Sequence, residues 1–246
     1  MKQILLITDG CSNVGESPVM AAAHARQDGI TVNVIGVVDY GTIGELGSRE
    51  IDDIAKAGGG LSRIVGTPQL AQTMQMMTRK TVVQTIQQAV NKEVKKILGE
   101  GSLEDLPPAK RSQVVTVVDE LSETAPLRLA LLIDASASMK PKLAAVEDAI
   151  RDLALSLEAR EGISEISVFH FPGSSSEPAV LDMDWSTNVS NIRTLFSKIR
   201  MKGATPTGPA IFKVLEHFGY DTLNEHQGRL AAHSDEGEGM PGGYVV

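Results

Sequence analysis

Three oxygen-bearing side chains alternate within the stretch LALLIDASASM of this 246-residue chain: Asp134, Ser136 and Ser138. They follow an apolar run that reads as a strand buried on both faces, and open parallel sheets place their ligand sites at the carboxyl ends of such strands. A loop that leaves the strand and curls into a helix can aim one carboxylate and two hydroxyls at a common point. All three are hard oxygen donors, which suits Mg²⁺ and, less selectively, Mn²⁺ or Ca²⁺. The plainer reading is that the serines cap the helix that follows. A similar strand end opens the chain, in MKQILLITDG, where Ile4 to Ile7 is unbroken and apolar and Asp9-Gly10 suits the loop beyond it. Strands of that kind sit in the middle of a sheet, which raises the question of which later segments flank this one.

The elements around these residues alternate. Ser17-Pro18 is a helix start, with a cap followed by proline, and Gly29 a stop. Thr31 to Val38 reads as a second buried strand, Glu45 to Ala57 as an amphipathic helix ending at Gly58-Gly59-Gly60, and Leu61 to Val65 as a short third strand. Strand and helix in alternation predict a parallel sheet with crossover helices. From Gln69 to about Leu98 the pattern turns to one long helix, with Leu70, Met74, Met77, Ile86 and Val90 at helical spacing and a Met-rich start read as a core stripe. Gly99 to Pro108 is a linker and Ala109 to Ser122 a second helix. After the Asp134 strand, Leu143 to Glu158 is an amphipathic helix, Glu165 to Phe171 a strand, Ala179 to Trp185 a half-exposed edge strand, and Val189 to Ile199 a helix. Thr205-Pro206-Thr207-Gly208 is a loop feeding the last helix, capped by Thr207. Beyond about Tyr220 the chain is polar, acidic and glycine-rich, and is expected to lack fixed structure.

Composition excludes more than it names. A formal charge of -8 and few clustered Lys and Arg argue against a sequence-independent nucleic-acid binder. The run Asn91 to Lys96 reads as a solvated helix face. With one cysteine, Cys11, there is neither an intramolecular disulfide nor a Cys-based zinc site, and Cys11 itself reads as an ordinary half-buried thiol. The first residues lack the basic start and apolar core of a signal peptide, and no segment reaches the roughly 20 apolar residues of a membrane span, so a cytoplasmic protein is expected. Enzyme motifs are missing: GCSNVG (Gly10 to Gly15) does not fit a nucleophile elbow, no phosphate-binding G-x-x-x-x-G-K-[ST] loop occurs, and Ser136 stands where a haloacid-dehalogenase-type phosphotransferase needs a second Asp. The five histidines show no ligand spacing. His24 and His170 read as helix-face and strand residues, and His217, His226 and His233 as surface groups.

Asp134-Ala135-Ser136-Ala137-Ser138, with Thr205-Pro206-Thr207-Gly208 downstream, resembles the D-x-S-x-S and T-x-T-G elements of the metal-ion-dependent adhesion site in von Willebrand factor A domains. The resemblance implies that Thr205 contacts the metal and that a further aspartate comes from an apolar strand ending in T-D-G. That strand is expected after the last helix, but here it is at residues 4–10, as Asp9. The family's two halves are present in reversed order. Residues 1–80 match the C-terminal half of an A domain and 127–219 the N-terminal half, 81–126 form a helical connector, and 220–246 a flexible acidic tail. The implied fold is α/β and doubly wound, with a mostly parallel, Rossmann-like sheet that is circularly permuted. The connector has only to cover about three strand spacings, roughly 15 Å. A monomer or a swapped dimer of complementary halves would both satisfy this layout. More narrowly, the layout resembles small A-domain proteins of endospore-forming bacilli.

What the resemblance implies for function is one divalent cation, Mg²⁺ or Mn²⁺, surrounded by Asp134, Ser136, Ser138, Thr205 and Asp9. One position would be left for a Glu or Asp of a protein partner. The expected role is metal-dependent protein binding with no catalysis, no nucleic acid and no membrane. Two alternatives stand beside it: an accessory subunit of an AAA+ ATPase, as in chelatases and activases, and a metal-dependent hydrolase.

Overall fold

The fold follows from where the apolar runs fall. In the computed structural model, which describes residues 1–39, 43–98, 107–173, 177–188, 199 and 203–219, the strongly apolar runs among the described residues are strands and the described runs of helical spacing are helices. The order is β1 (Lys2–Thr8), α1 (Pro18–Gln27), β2 (Ile30–Val38), α2 (Glu45–Ala57), β3 (Gly59–Gly66), α3 (Leu70–Leu98), α4 (Pro108–Thr124), β4 (Leu127–Asp134), α5 (Leu143–Glu158), β5 (Ser164–Phe171), β6 (Val180–Ser186) and α6 (207–219). Ser17 caps α1 by accepting from the Met20 N–H at 3.5 Å, with Pro18 in the first turn. Gly58 caps α2, while Gly59 and Gly60 already belong to β3, so one glycine of the triplet is the helix stop and two open the strand. The predicted helix over 189–199 lies almost wholly outside the described residues, as do most of the linker at 99–108 and the tail at 220–246.

The six strands form one sheet in the order β3-β2-β1-β4-β5-β6, parallel except for the antiparallel edge strand β6. The first strand is therefore central. Lys2 lies opposite Ile30 on one side and Arg128 on the other, and the Met1 carbonyl accepts from the Arg128 N–H at 2.9 Å. Ile4 and Leu6 face a core shared with α1, α2 and α6, while Leu5 and Ile7 face one shared with α3, α4 and α5. Burying each such side chain is worth roughly 1.5–3 kcal/mol, which is why an all-apolar strand is stable only between two helical layers. The result is an α/β, doubly wound, Rossmann-like architecture. Among the described residues no helix is long and apolar enough to cross a membrane.

The long helix α3 belongs to this core. Leu70, Met74, Met77, Val82 and Ile86 are buried together with Val118 of α4, as the methionine stripe predicted, and Asn91 to Lys96 is exposed apart from Val94. A buried polar network also pins α3. Asn33 Oδ1 accepts from Thr81 Oγ1 (3.0 Å) and the Leu61 N–H (2.9 Å), and Asn33 Nδ2 donates to Gln3 Oε1 at 3.4 Å. Residues 80 and 81 are thus consecutive positions of one continuous, docked helix. His217, expected at the surface, instead stacks on Trp185 with ring centroids 5.3 Å apart, because the same face of α6 that buries Phe218 carries it against β6.

From β1 the chain winds outward to β2 and β3, and from β4 it winds the opposite way to β5 and β6. The winding reverses between β1 and β4, and open α/β sheets bind ligands in the crevice beyond the carboxyl ends of the strands at such a point. Asp9 and Asp134 are at those two ends.

Candidate metal centre

Asp134 is the last residue of β4 and is fully buried. The Thr8 hydroxyl, at the end of β1, donates to its Oδ2 at 2.7 Å, and the Ser136 N–H donates to its Oδ1 at 2.8 Å. The Ser136 and Ser138 hydroxyls are 3.2 Å apart, and Ser138 Oγ donates to Asp9 Oδ1 at 2.9 Å. A continuous run of hydrogen bonds, by way of the Ser136 N–H and the two serine hydroxyls, thus joins the two strand ends. Four of the five residues expected to surround a metal lie in this run; only Ser138 among them is exposed, with Asp134 and Ser136 beneath it.

Thr205, the fifth, is brought alongside by its backbone. Its N–H donates to Asn13 Oδ1 at 2.8 Å, and its carbonyl accepts from the Asn13 N–H (3.2 Å) and Ser12 Oγ (3.1 Å). Among the described residues its hydroxyl takes no part in the run between the aspartates. Two glycines allow this approach of the loop after β1 to the loop before α6. A Cβ on Gly208 would lie 2.0 Å from the Glu16 carbonyl oxygen, and one on Gly15, whose φ is +86°, would lie 2.4 Å from Pro209 Cγ. The glycine of the T-x-T-G loop is therefore required by contact between loops.

Burial pushes the Asp134 carboxyl above its ordinary value; hydrogen bonds from Thr8 and Ser136 oppose the shift, and the charge of Asp9 adds to it. Neutral donors do not replace the hydration a buried carboxylate has lost, and a cation would. The donor set fits a hard divalent ion, with two carboxylates and neighbouring hydroxyls, all oxygen. Among the described residues no three His, Cys, Asp or Glu side chains gather to hold a metal, so soft ions that prefer imidazole or thiolate are poorly served. Cys11 is half-buried and its thiol is pushed up by burial and by Glu50, which is the opposite of an activated nucleophile.

Two members of the cluster escape sequence reasoning. Thr8 is the last residue of β1, and its place at a buried strand end directly before Asp9 was the available signal. Lys142, at the entry to α5, donates from Nζ to Asp9 Oδ2 at 2.7 Å and to the Ser138 carbonyl at 3.1 Å. Its partner is 133 positions away, and nothing local marks it as more than a surface lysine before a helix.

Fold and site together define a doubly wound α/β protein with an oxygen-donor cluster at its topological switch point. No protein-family model matches the chain. The chain is 45% identical over 232 residues to the uncharacterized protein YabS of Bacillus subtilis, spanning 94% of each sequence, and it belongs to the YabS family. An uncharacterized protein from Alicyclobacillus acidocaldarius, of known crystal structure, is 46% identical with a TM-score of 0.86, over 91% of this chain and 96% of that one. Proximal thread matrix protein 1 of the mussel byssus is 17% identical over 83% of this chain and 43% of its own, and its TM-score of 0.26 is too low to carry an argument.

Proposed function

We propose that this protein is a circularly permuted A-type domain of the von Willebrand factor kind. In this reading Asp134, Ser136, Ser138, Thr205 and Asp9 hold one divalent cation, Mg²⁺ or Mn²⁺, through which the protein binds a partner offering a Glu or Asp. One observation carries it: the run of hydrogen bonds from Asp134 through Ser136 and Ser138 to Asp9, which joins the ends of β4 and β1 at the point where the sheet's winding reverses. The pairing of β1 with β4 supports the permutation, since it sets the first strand of the 1–80 block beside the first strand of the 127–219 block. A bound divalent ion would supply a Lewis-acidic centre able to accept a carboxylate from another molecule.

The protein's own residues divide the work. Asp134 forms the buried floor, oriented by Thr8 and the Ser136 N–H; Ser138 is the exposed member and marks the side from which a partner approaches; the Asn13 and Ser12 contacts set Thr205. The test is affinity capture with the full chain from an extract of its own organism, in Mg²⁺ and in chelator, with Asp134→Ala as control. The reading expects a partner retained in Mg²⁺ and lost both in chelator and with the variant. Capture indifferent to metal and to Asp134 would contradict it.

A further inference from the structure

The oxygen cluster already contains a cation of its own. A lysine just ahead of a helix ordinarily extends its ammonium into water. Lys142 instead turns inward, its side chain 11% exposed and that of its partner Asp9 6%. Its Nζ takes one carboxylate oxygen of Asp9 and the Ser138 carbonyl, while the Ser138 hydroxyl takes the other carboxylate oxygen. Asp9 is thus charge-balanced by an ammonium that also bonds the Ser138 carbonyl, whereas Asp134 receives only neutral donors.

A fixed ammonium bonded to one carboxylate of a two-carboxylate site repels an incoming divalent ion and competes for the same negative charge. At a separation of a few ångströms and the effective dielectric of a partly buried site, this opposition changes an affinity by about tenfold or more. Resting on the metal-binding reading above, we propose that Lys142 is a tethered counter-cation: it holds the site together when metal is absent and lowers its affinity for metal, so that the ion exchanges. The site is then a weak one by construction.

The test is calorimetric titration of the full chain with Mn²⁺, alongside thermal unfolding in chelator. It compares wild type with Lys142→Gln, which keeps a donor without charge, Lys142→Met, which keeps the packed stem, and Lys142→Arg, which keeps the charge. The two neutral variants are expected to bind Mn²⁺ about tenfold or more tightly and to melt earlier without metal; either of them folding suffices. The arginine variant is expected to stay within about threefold of wild type. If the wild type binds Mn²⁺ and the neutral variants bind it no more tightly, Lys142 merely positions Asp9 and the inference falls while the metal site stands. If no protein in the series binds Mn²⁺, the metal-binding reading falls and this inference falls with it.

Discussion

β1 and β4 are adjacent parallel strands, each with an unbroken apolar run that ends at or just before an aspartate, yet the two carboxylates sit in different electrostatic surroundings. Asp9 is paired with the Lys142 ammonium, and Asp134, deeper, has only a hydroxyl and backbone or serine donors. The difference lies in what each loop does next. The chain after Asp134 curls straight into α5 and returns Lys142 toward the neighbouring strand end, where it meets Asp9 and not the aspartate of its own loop. One strand end is thus satisfied within the protein, and the other is left with an uncompensated buried charge, the one a bound ion would serve.

Neutralising each aspartate should separate these surroundings most sharply. Asp9→Asn strands the ammonium of Lys142, and in chelator it is expected to cost about 2–4 kcal/mol in denaturant unfolding, the bond to the Ser138 carbonyl and slight exposure softening the loss. Asp134→Asn is expected to be at least as stable as wild type in chelator. The Thr8 hydroxyl can donate to the Gly10 carbonyl, 3.3 Å away, and accept from the new amide. With Mg²⁺ at a hundredfold its Kd, wild type should gain about 2.7 kcal/mol and Asp134→Asn nothing measurable. Equal losses for the two variants in chelator would erase the contrast.

Gly208→Ala tests whether the loops must touch. Its methyl would meet the Glu16 carbonyl oxygen, so the variant is expected to lose about 1–3 kcal/mol of stability and to bind Mn²⁺ more weakly, because the Thr205 loop is forced off the loop that follows Asp9. An unchanged melting curve would show that this contact is slack.

The smallest effect expected is on pH dependence in chelator. The folded Asp134 carboxyl has a raised pKa, so the folded state holds that proton more tightly than the unfolded chain. Its penalty is full above the raised value, fades as pH falls through it, and is gone below the ordinary 3.8. The difference in stability between wild type and Asp134→Asn should therefore shift in favour of wild type as pH falls through that window. A difference flat in pH would contradict the assignment.

The sheet was legible because its inner strands are largely buried and helices such as α2 and α5 carry clean apolar stripes; Glu45 to Ala57 and Leu143 to Glu158 coincide with α2 and α5. Asp134, Ser136 and Ser138 were legible because strand end, alternation and following helix are all local. Lys142 was not, since its meaning depends on a residue in the other half of the chain. Asn33 was hidden for a related reason. It is one polar residue in an apolar strand, and its partners Gln3, Leu61 and Thr81 lie in three other elements. His217 was misread because the packing of α6 against β6, which covers it, leaves no periodic trace in either segment alone.

The central claim is that Asp9 and Asp134, from two different blocks of the sequence, share one cation. Titration of Mn²⁺ by calorimetry into wild type, Asp9→Ala and Asp134→Ala, with mass measured by light scattering on the same samples, tests it most directly. The account predicts one site per chain in wild type, abolished by Asp134→Ala and abolished or severely weakened by Asp9→Ala, all in a monomer. Normal binding by Asp9→Ala would contradict it, as would a site that forms only in a dimer.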